Sequence, residues 1–191
     1  MEGVRSTDAQ RVSLSITRMP CAPTNFRVGR SGHPIIGVVI HIEAGTEVGT
    51  DAWFANPLSK VSAHYSVRVD GQVHQYVDEA NVAFHCGIAY QPTWWFAQQS
   101  PLYLNQATIG IEHEGVADVD ITEDQYGASS TLLADICRRN SIPLDPLHVV
   151  PHHAIRASKQ CPGLIDVWKL ITLAKALNLS VDGGVPSSTL T

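Results

Sequence analysis

At 191 residues, 44 % of them hydrophobic, the chain can bury one core of ordinary size and is too short for two full domains. Its 13 Lys and Arg against 18 Asp and Glu, with a net charge of -5 and a pI near 5.9, leave no basic footprint, so a nucleic-acid partner is not expected. No run reaches the apolar length needed to cross a bilayer, so membrane insertion is not expected. The opening MEGVRSTDAQ lacks the apolar stretch of a secretory leader, which predicts synthesis in the cytoplasm without a signal peptide.

Residues 1–34 read as an N-terminal arm holding one short alternating stretch, Val12, Leu14 and Ile16, that predicts a peripheral strand followed by a wrap. The run IIGVVI, Ile35 to Ile40, predicts a buried strand with His41 at its end, and Gly45 follows in a turn. A short helix is expected around Thr50 to Asn56, closed by Pro57. Val61, Ala63, Tyr65, Val67 and Val69 then alternate with Ser62, His64, Ser66 and Arg68, the pattern of a half-buried strand. Asp70-Gly71 signals a hairpin, with Val73 to Val77 returning as its partner.

Val82 to His85 reads as a further short strand, and residues 87–103 as a loop holding Trp94, Trp95 and Phe96. In the strand predicted over Ala107 to Glu112, Ile109 and Ile111 face one way and Thr108, Gly110 and Glu112 the other. Thr122 followed by Gln125 is a capping-box signature for a helix to about Asn140 that carries Tyr126, Leu132, Leu133, Ile136 and Cys137 at helical spacing. A final helix places Leu164, Val167, Trp168, Ile171 and Ala174 inward, with Asp166 early and Lys175 late, and ends near Asn178. The breaker-rich residues 179–191 predict a flexible tail. Strands with interspersed helices and a hairpin imply a single α/β domain over 35–178 with a central mixed sheet flanked by helices.

Four cysteines are too few for a disulfide scaffold. Cys137 fits core packing, and Cys21 and Cys86 are compatible with a free or a paired state. Cys161 belongs to the most informative segment, PHHAIRASKQCPG, in which His153 is followed six residues on by Lys159 and eight residues on by Cys161. Imidazole nitrogen and thiolate are ligands that a tetrahedral zinc ion accepts. His41 is the best third ligand. Three protein ligands leave a position open for water, the mark of a catalytic site, and point to hydrolysis. His152 is the obvious rival of His153 and is expected at the surface or behind the ligands.

The segments IGVVIHIEAG, VSAHYSVRVDG, AFHCG, NQATIGIEHEG and HHAIRASKQCPG, in that order, resemble the zinc-dependent N-acetylmuramoyl-L-alanine amidases of the type 2 class. That class includes bacterial and phage wall-lytic amidases and the peptidoglycan recognition proteins, and the likeness spans roughly residues 35–177. It implies a peptidoglycan-recognition-protein-like fold, Zn2+ held by His41, His153 and Cys161, and catalysis by Glu112 and Lys159. It places His85 and Asn105 at the substrate, and His64 is a further candidate contact, with a hydrogen-bonded structural role as the equal alternative for His64 and His85. The spacing of the last motif favours His153 over His152.

The implied substrate is the bond between the lactyl group of N-acetylmuramic acid and the L-alanine of the peptidoglycan stem. Glu112, with Glu114 as competitor on the same face, would move the proton, and Lys159 would stabilise the oxyanion. Trp53, Trp94 and Trp95 are candidate platforms for sugar rings, although tryptophans more often pack in the core, and Trp168 belongs to the core. The chain departs from some phage members in having Ala63 where they carry a catalytic tyrosine, and from recycling members in having Cys161 rather than aspartate. The resemblance, with no leader at the N-terminus, leads to the expectation of a monomeric phage or prophage endolysin domain acting on the cell wall. The rival readings are a non-catalytic peptidoglycan-binding module, a zinc-stabilised structural domain and a cytoplasmic enzyme that recycles muropeptides.

Overall fold

The computed structural model describes residues 14–182. Among the described residues, eight strands and five α-helices follow one another. They are β1 (Ile16–Arg18), β2 (Phe26–Arg27), β3 (Gly37–Ile40), α1 (Glu47–Ala55), β4 (Tyr65–Val67), β5 (Val73–Gln75), β6 (Val82–Ala83), α2 (Trp95–Gln99), α3 (Leu104–Ala107), β7 (Thr108–His113), α4 (Glu123–Asn140), β8 (Val149–Pro151) and α5 (Val167–Asp182). Six of the strands make one mixed sheet in the order β1-β5-β4-β7-β3-β8, while β2 and β6 pair separately. β4, β7, β3 and β8 run parallel to one another, and the β4–β5 hairpin supplies the antiparallel pair. This is the mixed α/β architecture that the alternation of elements predicts.

One face of the sheet holds Val38, Ile40, Val67, Ile109, Ile111 and Val149 against Leu132, Leu133 and Ile136 of α4 and Leu170, Ile171 and Ala174 of α5. Each isoleucine or leucine buried here contributes about 1.5–3 kcal/mol relative to an exposed one. The Thr122–Gln125 capping box forms in full: Gln125 N–H donates to Thr122 Oγ1 at 3.1 Å and Thr122 N–H donates to Gln125 Oε1 at 3.0 Å. The helix stops at Ser141, which takes the left-handed conformation at φ 55°. The Asp70-Gly71 turn also forms, with Gly71 at φ 79°.

Several features differ from the sequence reading. The strand around β4 is covered on both faces, because Ser62, His64 and Ser66 are as buried as Ala63, Tyr65 and Val67. It lies between β5 and β7, and its polar side chains meet Arg30, Glu43 and Glu47 rather than water. Trp168 is 60 % exposed and Leu164 is 59 % exposed. Asp166 caps α5 by accepting from Lys169 N–H at 3.0 Å, which sets the buried stripe at Leu170, Ile171 and Ala174, flanked by the half-buried Val167, and turns Trp168 aside from it.

The N-terminal arm supplies the expected peripheral strand, with β1 pairing in parallel with β5 at the sheet edge, but the segment after it is more than a wrap, since Asn25 and Arg30 are buried within the domain. Residues 87–103, expected as loop, hold the short helix α2, and buried Trp94 donates from Nε1 to Leu147 O at 2.7 Å. Val12 and residues 183–191 of the expected tail lie outside the described residues, and α5 continues to Asp182, past the expected end at Asn178. No helix among the described residues is long and apolar enough to cross a membrane.

Candidate metal centre and active site

Strand register builds the site. Ile40 of β3 stands level with Ile111 of β7 and with Pro151 of β8, so the next residue of each parallel strand comes out at one height. Those residues are His41, Glu112 and His152. They sit at the carboxyl ends of adjacent parallel strands, where open α/β sheets place their ligands. His153 is one residue further on, its side chain exposed to solvent. His152 opens a single turn of 3-10 helix, His152–Ala154, in which successive side chains diverge around the axis, so His152 and not the expected His153 joins His41 and Cys161.

Cys161 returns to the cluster because the loop from His152 onward closes on itself. His153 N–H donates to Cys161 O at 2.9 Å. Gly163, at φ 69°, passes so close to Ala117 that a Cβ there would lie 2.2 Å from its carbonyl oxygen. Only glycine fits that passage.

His41 Nδ1 lies 3.1 Å from His152 Nδ1 and 3.7 Å from Cys161 Sγ. A tetrahedral zinc ion, with bonds of about 2.0–2.1 Å to nitrogen and about 2.3 Å to sulfur, separates its ligands by about 3.3 Å (N to N) and about 3.6 Å (N to S). The donor set therefore fits zinc in element type and in spacing. Ile42 N–H donates to Cys161 Sγ at 3.3 Å, a contact suited to a thiolate. Burial pushes the Cys161 thiol up to about 12, with Glu112 adding to the effect, so a cation is needed to hold it ionised. Burial and the neighbouring His152 hold His41 well below its usual range, which keeps it neutral and able to ligate.

Glu112 Oε1 lies 3.9 Å from His41 Nδ1. Its Oε2 is one of two buried side-chain polar atoms among the described residues with no hydrogen-bond partner. Burial pushes its carboxyl up to about 8, Glu43 and Glu47 add to the shift, and Lys159 opposes it. A bound divalent cation would oppose it further. The competitor Glu114 is already engaged, accepting from Glu47 N–H at 3.0 Å and from Val69 N–H at 3.1 Å.

The cluster opens into a cleft of about 490 Å³ lined in part by Lys60, His85, Asn105, His152, Arg156 and Lys159. None of Lys60, Arg156 and Lys159 forms an ion pair among the described residues, whereas Arg18, Arg138, Arg139 and Lys169 do. An acidic protein that leaves three cations unpaired around one cleft presents a site for an anionic ligand.

The three expected substrate contacts separate. His64 is fully buried, its Nδ1 accepting from Gly110 N–H at 3.0 Å and its Nε2 lying 2.8 Å from Arg30, so of its two expected roles the structure selects the structural one, a support of β7. Asn105 lines the cleft while its Oδ1 accepts from His85 N–H at 3.1 Å and Cys86 N–H at 2.9 Å. His85 also lines the cleft, with Nδ1 3.0 Å from His41 Nε2. Trp94 is a core residue, the role the sequence favours for it, and Trp53 and Trp95 are partly exposed away from the cleft lining. The sequence reading gives no role to Gly110, yet a Cβ there would sit 2.5 Å from His85 Cγ, so this glycine makes room for the ring. All four cysteines are free.

Buried nitrogen and sulfur donors at the ends of parallel strands, with a glutamate and a lysine at an open cleft, have the layout of a hydrolase. A family model described as N-acetylmuramoyl-L-alanine amidase matches residues 31–164, and the chain belongs to that family. It is thereby an amide hydrolase of peptidoglycan degradation. The chain is 31 % identical to N-acetylmuramoyl-L-alanine amidase A of Achromobacter lyticus over 144 residues, which are 69 % of this chain and 72 % of that one.

Among solved structures, a complex of the amidase AmiD from E. coli with anhydro-N-acetylmuramic acid-L-Ala-D-gamma-Glu-L-Lys is similar at 26 % identity and a TM-score of 0.63. The match covers 86 % of this chain and 70 % of that one. A selenomethionine derivative of AmpD shares the fold at a TM-score of 0.67 and 24 % identity, covering 83 % and 93 % of the two chains.

Proposed function

We propose that the chain uses zinc to hydrolyse the amide between the lactyl group of N-acetylmuramic acid and the L-alanine of the peptidoglycan stem. The observation that carries this reading is the convergence of His41 Nδ1, His152 Nδ1 and Cys161 Sγ beside the unpartnered Oε2 of Glu112. Zinc bound there would activate water, lowering its pKa from 15.7 toward roughly 7, and polarise the carbonyl. Glu112 accepts the proton of the attacking water on its free carboxylate oxygen and delivers it to the departing amine, a contribution on the order of 10² to 10⁴-fold. Lys159 extends its ammonium group toward the carbonyl oxygen that becomes negative. Lys60 and Arg156 line the same cleft, where they can meet carboxylates of the stem peptide.

We further propose that the natural substrate is the polymeric wall and that the chain is a phage or prophage endolysin domain, a reading supported by Cys161 at the position where recycling relatives carry aspartate. Similarity to AmiD favours a second reading in which a soluble anhydro-muropeptide is cleaved. Digestion of purified wall tests the first. New L-alanine amino termini without new reducing ends are expected, reducing ends would indicate a glycosidase, and neither would indicate a binding module. Faster cleavage of soluble muropeptide than of intact wall would select the second reading.

A further inference from the structure

We infer that Thr108 and His85 form a positioning relay that decides which ring nitrogen of His41 faces the metal, an assignment that rests on the zinc site proposed above. The relay starts on a group that can only accept. Leu104 O receives the hydroxyl proton of Thr108 at 2.6 Å, which uses the single proton of that hydroxyl. Thr108 Oγ1 then lies 3.2 Å from His85 Nε2 with only lone pairs to offer, so His85 Nε2 carries the hydrogen. In a neutral imidazole this leaves Nδ1 bare. That Nδ1 is 3.0 Å from His41 Nε2, which therefore donates to it.

One nitrogen of His41 remains. Nδ1 is bare and points at His152 Nδ1 and Cys161 Sγ, as a metal ligand must. His152 reaches the same state by a shorter path. Its Nε2 lies 3.0 Å from Cys86 O, a carbonyl that fixes the hydrogen on Nε2 and bares Nδ1. Both histidines are thus set in the ligating tautomer by backbone carbonyls before any ion arrives.

The packing holds the relay in place. Thr108 is fully buried and His85 is 8 % exposed. Cys86 Sγ sits 3.5 Å from both Thr108 Oγ1 and His85 Nδ1, and the His85 ring lies against the bare Cα of Gly110. His85 is accordingly a positioning residue for His41 and not primarily a substrate contact. Hydrogen-bond partners behind metal-bound histidines are commonly worth 10- to 100-fold in metal affinity.

The test compares Thr108→Val, which keeps the shape and removes the hydroxyl, with Thr108→Ser, which keeps the hydroxyl. Zinc affinity is read by competition with a chromophoric chelator, and the histidine tautomers by 15N NMR of the zinc-free chain. The expected result is a roughly 10- to 100-fold loss of zinc affinity in Thr108→Val, with near wild-type affinity in Thr108→Ser. In the wild-type chain the hydrogen of His41 and of His85 should reside on Nε2. Unchanged affinity in a folded Thr108→Val, or a His41 hydrogen on Nδ1 in the wild-type chain, would overturn the relay. The wild-type spectrum decides even if Thr108→Val fails to fold. A wild-type chain that takes up no zinc would instead defeat the metal reading, while its tautomers still report on the relay.

Discussion

Two buried clusters lie side by side on the same face of the sheet, and only one of them is built to take an ion. The first brings together His41, His152 and Cys161, and the second Glu47, Asp51 and His74; in each, the candidate ligand atoms fall within 4.8 Å of one another. In the second, no buried side-chain polar atom is left without a partner. His74 Nδ1 lies 2.9 Å from Glu47 Oε1 and 3.1 Å from Asp51 Oδ1, and Tyr76 OH lies 2.5 Å from Glu47 and 2.7 Å from Asp51. Ser66 bridges Glu47 and Glu43, whose carboxyl is pushed up to about 7 by burial and by Glu47 and can supply the shared proton.

In the first cluster two bare nitrogens face each other and Glu112 Oε2 has no partner. Proximity of ligand types is common to both, whereas unspent donor capacity belongs to one. The satisfied cluster braces α1 against β4 and β5, and its Glu47 adds to the burial and the Glu43 charge that push up the carboxyl of Glu112, two strands from His74.

The largest expected effect is on the metal itself. The wild-type chain should bind one zinc ion, and His152→Ala or Cys161→Ser should lose it together with hydrolysis, by on the order of 10³-fold or more. Two ions in the wild-type chain, read by elemental analysis, would break the contrast between the clusters. Glu112→Gln comes next: full zinc content with turnover reduced on the order of 10² to 10⁴-fold. Lys159→Ala should slow turnover by on the order of 10² to 10³-fold, again with zinc retained.

Changes in the satisfied cluster should register as stability. Glu47→Gln is expected to cost about 1–3 kcal/mol in denaturant unfolding while the zinc stoichiometry stays at one. His153→Ala should change neither, and a zinc loss in that variant would return the ligand role to His153. Acid sharpens the picture through buried histidines outside the ligand set. Burial and Arg30 lower His64 to about 3, and burial lowers His113 to about 4. Because these folded values lie below the ordinary 6.5, the stability they provide is complete above pH 6.5 and is lost as the pH falls through 4 toward 3. Unfolding midpoints measured at pH 7, 5 and 4 should decrease in that order.

Much of the molecule was legible in the linear order of residues because its signals are local. The Thr122–Gln125 box, the Asp70-Gly71 turn, the buried run before His41 and the proximity of Lys159 and Cys161 to Pro-Gly each depend on neighbours a few residues away. The mixed sheet followed from the alternation of elements, and His41 and Cys161 stood out as candidates by their places at a strand end and before Pro-Gly, whereas Glu112 entered only through the family resemblance. What needed the folded chain was every choice made across strands. His152 was selected over His153 by the alignment of β3 with β8, His64 was moved from cleft to support by Arg30 of the arm, and Trp168 was turned outward by the phase of α5. A hydrogen bond from Thr108 through His85 to His41 joins three segments far apart in sequence, and no periodicity or spacing along one segment can report a contact that register and packing create.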